Sequence, residues 1–159
     1  MKILFICHGN ICRSPLAEIV MNKLIADSGL DGTFSAASAA TSTEELGNPI
    51  YPPVRELLRT KGIAVPPHRA RQVTRRDYDE FDLLIVMDRN NLRNLQRITG
   101  GDPDNKISLL LDWTERGGEV ADPWYSGNFD ATWEDVTCGC RALLEKISGK
   151  CIPQIKGRN

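Results

Sequence analysis

Short apolar runs alternate along this chain with longer stretches in which apolar residues recur every three or four positions. The first run, Lys2 to Ile6, reads as a buried strand. Leu16, Ile19, Val20 and Leu24 then follow helical spacing, with Ser14 a candidate cap, Pro15 at the first helical position and Gly29 just past the end. Residues 33–40 form a second, weaker strand pattern. Residues 52–62 predict a helix that opens on proline and closes on glycine. Thr74 with Asp77 has the form of a capping box for a short helix. The run 82–87 predicts a third strand, after which Asp88 caps a helix over 89–98. A fourth strand is expected over 106–111, then a long polar loop, then a final helix from about Phe129 to Ile147.

Strands that alternate with helices of this length predict an α/β domain with a parallel sheet covered on both faces. Right-handed crossovers restrict the layout. The expectation is one doubly wound, four-stranded sheet in the flavodoxin-like order 2-1-3-4. In such sheets ligands bind beyond the carboxyl ends of the strands. The sequence that leaves the first strand, CHGNICRSP at 7–15, lies at that place.

Composition narrows the classes. The chain has 159 residues, 26% of them charged, with a formal net charge of -1. That balance carries no basic footprint for nucleic acid and no polybasic patch for a membrane surface. No apolar run approaches membrane-spanning length, and the apolar start is too short for a signal-peptide core. A mature protein beginning at Met1 in the cytoplasm is the expectation. The five cysteines are Cys7, Cys12, Cys138, Cys140 and Cys151. An odd count with no secretory signal does not suggest a disulfide framework. Cys138 and Cys140 are too close together for a zinc knuckle and read as thiols in or near the last helix.

The polar stretch after the first strand has a chemistry of its own. A loop that curls from a strand into a helix N-terminus aims backbone N–H groups inward, and the helix dipole adds positive potential. Gly9 permits close approach or positive φ, and Asn10 tolerates the left-handed region. Arg13 adds a planar, permanently charged fork that matches two phosphate oxygens. The field that holds an anion also favours thiolate over thiol, so Cys7 is a candidate nucleophile, with Ser14 in reach of its sulfur. Taken singly, Cys7 reads as a small buried hydrophobe, Arg13 as a solvated charge and Cys12 as packing. Cysteine, five residues, then Arg-Ser, between a strand and a helix, favours catalysis.

The stretch CHGNICRSPLAE (7–18) resembles the signature of the low-molecular-weight protein tyrosine phosphatases. The resemblance continues in family order through SAATST (38–43), HRARQVT (68–74), FDLLIVMD (81–88), DPWY (122–125) and CRALLEK (140–146). It implies a single phosphatase domain over residues 1–159. By that resemblance Cys7 is the nucleophile, Arg13 binds phosphate and Asp122 is the general acid. His8, Gly9, Asn10, Ile11 and Cys12 complete the phosphate-binding loop. Asn10, Ser14, Ser38 and His68 brace it, and Cys12 is a redox partner of Cys7. Trp124 and Tyr125 match the aromatic wall for the substrate ring. Relatives often carry an aromatic residue at the rim after the second strand. Counting back from Gly47, that place falls at Glu44, so Glu44 and Glu45 either face the substrate or lie solvated.

On their own residues, Asp122 before Pro123 is also ordinary turn chemistry and His68 a surface residue. Trp124 and Tyr125 taken singly read as core aromatics, but their neighbours Asp122, Pro123, Ser126 and Gly127 mark an exposed loop and favour partial exposure. The implied reaction hydrolyses phosphotyrosine and small aryl phosphates through a cysteinyl-phosphate, with no metal and no cofactor. The implied partners are phosphotyrosine-bearing proteins, a tyrosine kinase or its substrates among them, with no nucleic acid and no membrane. Two rivals remain. Arsenate reductases of similar fold open with the same loop but need further cysteines in mid-chain, and none lies between Cys12 and Cys138. A non-enzymatic anion-binding module would not need Cys7, Arg13 and Asp122 together.

Overall fold

A run such as Ile3-Leu4-Phe5-Ile6 needs cover on both faces, and strand β1 (Lys2–Cys7) finds it near the centre of a four-stranded sheet. The computed structural model describes residues 1–155. β1 pairs in parallel with β2 (Ser35–Ala40) on one side and β3 (Leu83–Val86) on the other, and β4 (Ile107–Leu109) lies beyond β3. The order β2-β1-β3-β4 is the expected one. Phe5 stands opposite Ser38 on one neighbour and Ile85 on the other.

Alternation along the strands sorts the core into two layers. Ile3, Phe5 and Ile85 pack with helices α1 (Arg13–Asp27), α2 (Pro52–Thr60) and α6 (Phe129–Ser148). Leu4, Ile6, Leu84 and Val86 pack with α3 (Arg75–Glu80) and α4 (Arg89–Thr99) on the other face. Burying each of these side chains stabilises the fold by roughly 1.5–3 kcal/mol. Two of the capping signals hold: Asp88 accepts from the Asn91 N–H at 2.8 Å, and the Asp77 carboxylate accepts from the Thr74 N–H at 2.7 Å.

Three expectations change. Ser14 does not cap α1: the helix begins at Arg13, Cys12 holds the cap position, and no side chain caps it. The Ser14 hydroxyl is drawn instead to the Cys7 sulfur, 3.0 Å away. The fourth strand stops at Leu109, and Leu110–Trp113 form a 3-10 turn. The turn buries Leu110 and Leu111 against the α6 layer. Contact there is so close that a Cβ on Gly139 of α6 would lie 2.5 Å from Leu110 Cγ. The polar loop also holds a four-residue helix, α5 (Pro123–Ser126), with Asp122 at its cap.

The segment after α2 returns along β2. The Ala40 N–H donates to the Arg71 carbonyl at 2.7 Å, and the Val73 N–H donates to the Ala40 carbonyl at 2.8 Å. This pairing brings His68 and Arg71 to the carboxyl end of the sheet. No helix among the described residues is long and apolar enough to cross a membrane.

Candidate active site

β1 ends on Cys7 and α1 starts on Arg13, so the loop between them is five residues long. Asn10 turns it. Its φ of 59° lies in the left-handed region, where asparagine is tolerated. Its N–H donates to Cys7 Sγ at 3.3 Å. Its Nδ2 donates to both Ser14 Oγ and Ser38 Oγ at 2.9 Å, while its Oδ1 accepts from the Arg71 N–H at 3.2 Å. His68 Nε2 donates to the Asn10 carbonyl at 2.7 Å. One fully buried residue is thus tied to β1, α1, β2 and the 68–71 segment. Buried polar groups require such partners, since leaving one unmade costs about 1–3 kcal/mol.

Ser38 extends the network by donating to Glu18 Oε2 at 2.9 Å, with His68 Nδ1 4.0 Å from the same oxygen. Burial pushes the Glu18 carboxyl above its usual range, against the pull of Ser38, His68 and Arg71. Burial also pushes the Cys12 thiol up to about 12, helped by Cys7 and Asp122 and opposed by Arg13.

Arg13 is 3% exposed, and its Nη1 donates to Asp88 Oδ2 at 2.7 Å and to the Val120 carbonyl at 2.9 Å. Its Nη2 lies 3.4 Å from Asp122 Oδ2. Burial works against the guanidinium charge, but Cys7, Asp88 and Asp122 outweigh it and hold Arg13 more firmly protonated than usual. Asp122 Oδ1 accepts from the Trp124 N–H at 3.0 Å, which aims the carboxyl group.

These groups enclose a cleft of about 140 Å³. Cys7, Arg13 and Cys12 are buried at its floor. Trp124, 54% exposed, and Tyr125, 86% exposed, stand at its mouth, as their Asp, Pro, Ser and Gly neighbours led one to expect, and are not core residues. Trp124 is supported by Tyr51, whose ring centroid is 4.9 Å away. His8, Gly9, Ile11, Glu44 and Glu45 complete the lining. His8 Nε2 lies 2.9 Å from Glu44 Oε2. Gly9 has no positive φ; a Cβ there would stand 3.3 Å from Glu45 Cγ, a tight contact against a side chain.

Every residue singled out for the site therefore sits in the cleft or in the network behind it. Sequence reasoning missed Asp88, Glu18, Arg71, Tyr51 and the Val120 carbonyl. Asp88 carried a usable signal, since it leaves the carboxyl end of the strand beside β1, but its capping role already accounted for it. Cys140 is buried and donates to the Ala17 carbonyl at 3.7 Å, while Cys138 is exposed on the same helix.

A thiol set among hydrogen-bond donors, a fixed guanidinium and a carboxyl group at one small cleft suit attack on a tetrahedral oxyanion. The model of the family described as low molecular weight phosphotyrosine protein phosphatase matches residues 2–151. The low molecular weight protein-tyrosine-phosphatase YfkJ of Bacillus subtilis is 40% identical over 149 residues, covering 92% of this chain and 96% of that one. The low molecular weight phosphotyrosine protein phosphatase of Gallus gallus is 40% identical over 150 residues, covering 91% of this chain and 94% of that one. The crystal structure of the Bacillus protein superposes with a TM-score of 0.90 at 39% identity, covering 94% of this chain and 95% of that one.

Proposed function

The chain belongs to the low molecular weight phosphotyrosine protein phosphatases, and on that premise we propose that it hydrolyses phosphotyrosine and small aryl phosphates through a cysteinyl-phosphate on Cys7. The observation that carries this reading is the floor of the cleft. There the Cys7 sulfur accepts the Asn10 N–H, shares a hydrogen bond with the Ser14 hydroxyl and lines the same cleft as Arg13.

The Cys7 thiolate attacks phosphorus, and the P–O bond to the phenol breaks. Arg13 Nη2 and the N–H groups of residues 8–13 hold the three equatorial oxygens in a preorganised field. With Nη1 fixed by Asp88 and Val120, the fork cannot turn away. Asp122 gives its proton to the leaving oxygen, then as carboxylate takes one from the water that attacks the cysteinyl-phosphate. Cys7 leaves as thiolate and inorganic phosphate is released. Arg13 and the amides supply the positive field, so no step draws on a metal or a cofactor. His8, Gly9, Asn10, Ile11 and Cys12 form the cradle; Ser14, Ser38 and His68 brace it; Trp124 and Tyr125 flank the substrate ring. Phosphotyrosine-bearing proteins, including a tyrosine kinase or its substrates, are the partners this reading implies. A reducing, cytoplasmic compartment keeps Cys7 available.

Cys12 adds a redox reading. Peroxide oxidises the Cys7 thiolate to sulfenic acid and leaves hydroxide; the Cys12 thiol then displaces water and forms a disulfide. Peroxide should inactivate the enzyme and dithiothreitol restore it, with a Cys7–Cys12 bridge found by peptide mapping. A bridge to Cys138, Cys140 or Cys151 would refute the pairing.

The decisive experiment uses aryl phosphates of graded leaving-group acidity, without metal. Cys7→Ser should abolish turnover. Asp122→Asn should slow poor leaving groups by about 10²–10⁴ and good ones far less. An unchanged dependence on leaving group would remove Asp122 from the role of acid. Arsenate reduction by wild type in place of phosphate-ester hydrolysis would favour the redox rival.

A further inference from the structure

The mouth of the cleft is acidic in a way the catalytic chemistry does not require. Glu44 and Glu45 both line it, and both are held. Glu44 Oε2 lies 2.9 Å from His8 Nε2, and Glu45 Oε2 accepts from Asn48 Nδ2 at 2.6 Å. In each carboxylate the second oxygen has no hydrogen bond to a protein group among the described residues. The loop that carries them is itself anchored. The Ser42 N–H and hydroxyl donate to the His8 carbonyl at 3.1 and 2.9 Å, and the Gly47 N–H donates to the Ala70 carbonyl at 2.8 Å. Glu45 lies against the catalytic loop itself, as its 3.3 Å spacing from a Cβ on Gly9 requires.

The charge balance of the lining points to what these oxygens meet. Arg13 is the one permanent cation there among the described residues, and it is engaged with Asp88 and Asp122. A phosphate dianion entering past two carboxylates meets repulsion, which a cationic neighbour on the substrate offsets. We propose that Glu44 and Glu45 select phosphotyrosine segments with lysine or arginine close to the phosphotyrosine, each carboxylate offering its open oxygen to that cation. This selectivity rests on the phosphatase reading above. The Glu44 side chain is 69% exposed and Glu45 is half-buried, so both contacts are open to solvent and screened, and the pair together should be worth about three- to tenfold in kcat/KM.

The test compares three phosphotyrosine peptides that differ only in flanks: lysine and arginine, alanine, or aspartate and glutamate. Rates for each protein are normalised to para-nitrophenyl phosphate, which has no flanks. Wild type should prefer the basic peptide over the acidic one, and the preference should shrink between low and high salt. Glu44→Gln/Glu45→Gln should bring the basic-to-acidic ratio close to one, and Glu44→Lys/Glu45→Lys should invert it. Equal rates for all three peptides with wild type, or a ratio that survives in the double glutamine variant, would overturn the proposal. Wild type inert towards para-nitrophenyl phosphate would instead overturn the phosphatase reading, and this selectivity with it.

Discussion

Arg13 gives one terminal nitrogen to Asp88 and to the Val120 carbonyl, and the fork can then present only its other side to the cleft. Lysine has no second nitrogen to divide in this way, so Arg13→Lys should lose most activity although the charge is kept. Asp88 also caps α4, and the two roles can be separated. Asn caps a helix about as well as Asp. Asp88→Asn should therefore lower kcat/KM while the melting temperature stays close to wild type; a melting loss without a kinetic one would show that Asp88 serves the helix alone. Gly139 is the corresponding residue in the core. A methyl group there would meet Leu110 at 2.5 Å, and overpacking of that kind costs about 1–3 kcal/mol. Gly139→Ala should lower the denaturant midpoint, and an unchanged midpoint would mean that the 110–113 turn gives way freely.

At the scale of elements, α3 shows how a six-residue helix persists. It is too short to be stable by itself, and its first turn is held by Asp77. The Asp77 carboxylate takes the Thr74 N–H and hydroxyl and two nitrogens of Arg71 at 2.9 and 3.0 Å. Burial works against its charge, but Arg71 and Thr74 outweigh burial and hold Asp77 below the usual carboxylate range. The ionised form thus favours the folded state. Its stabilisation is present above the ordinary carboxylate pKa and is lost as the pH falls through the lowered folded value. Asp77→Ala should cost about 1–2 kcal/mol near neutral pH, by loss of the cap and part of the exposed Arg71 pairing. Urea titrations of the two proteins should converge in acid. The same element logic explains why 106–111 did not remain a strand: Leu110 and Leu111 are buried by turning toward α6, and hydrophobic runs do not say which neighbour will cover them.

Across the whole molecule the candidate site is assembled from segments far apart in the chain: 7–14, 38, 68–71, 88 and 120–125. An anion bound there bridges many segments and favours the folded state over the unfolded one. Inorganic phosphate at about a hundred times its Kd should add about 2.7 kcal/mol, which raises the melting temperature of a chain this size by about 5–10 °C. Arg13→Ala should abolish the shift, and EDTA should leave it intact. A shift that needs a divalent cation would overturn the metal-free reading.

The strand and helix pattern, the Thr74–Asp77 capping box, the Asp88 cap and the loop from Cys7 to Arg13 were all legible in the sequence, because periodicity, capping and turn preferences act over a few residues. The signature resemblance carried Asp122, Ser38 and His68, which no local pattern distinguishes from turn or surface residues. Tertiary structure alone decided that Ser14 serves a sulfur instead of a helix end, that Glu18 stands behind Ser38, and that Asp88 answers Arg13. Each of these depends on which chain segments meet at the carboxyl edge of the sheet. That meeting is set by strand order and by burial on two faces, and no short-range pattern encodes the distance between residues 13 and 88.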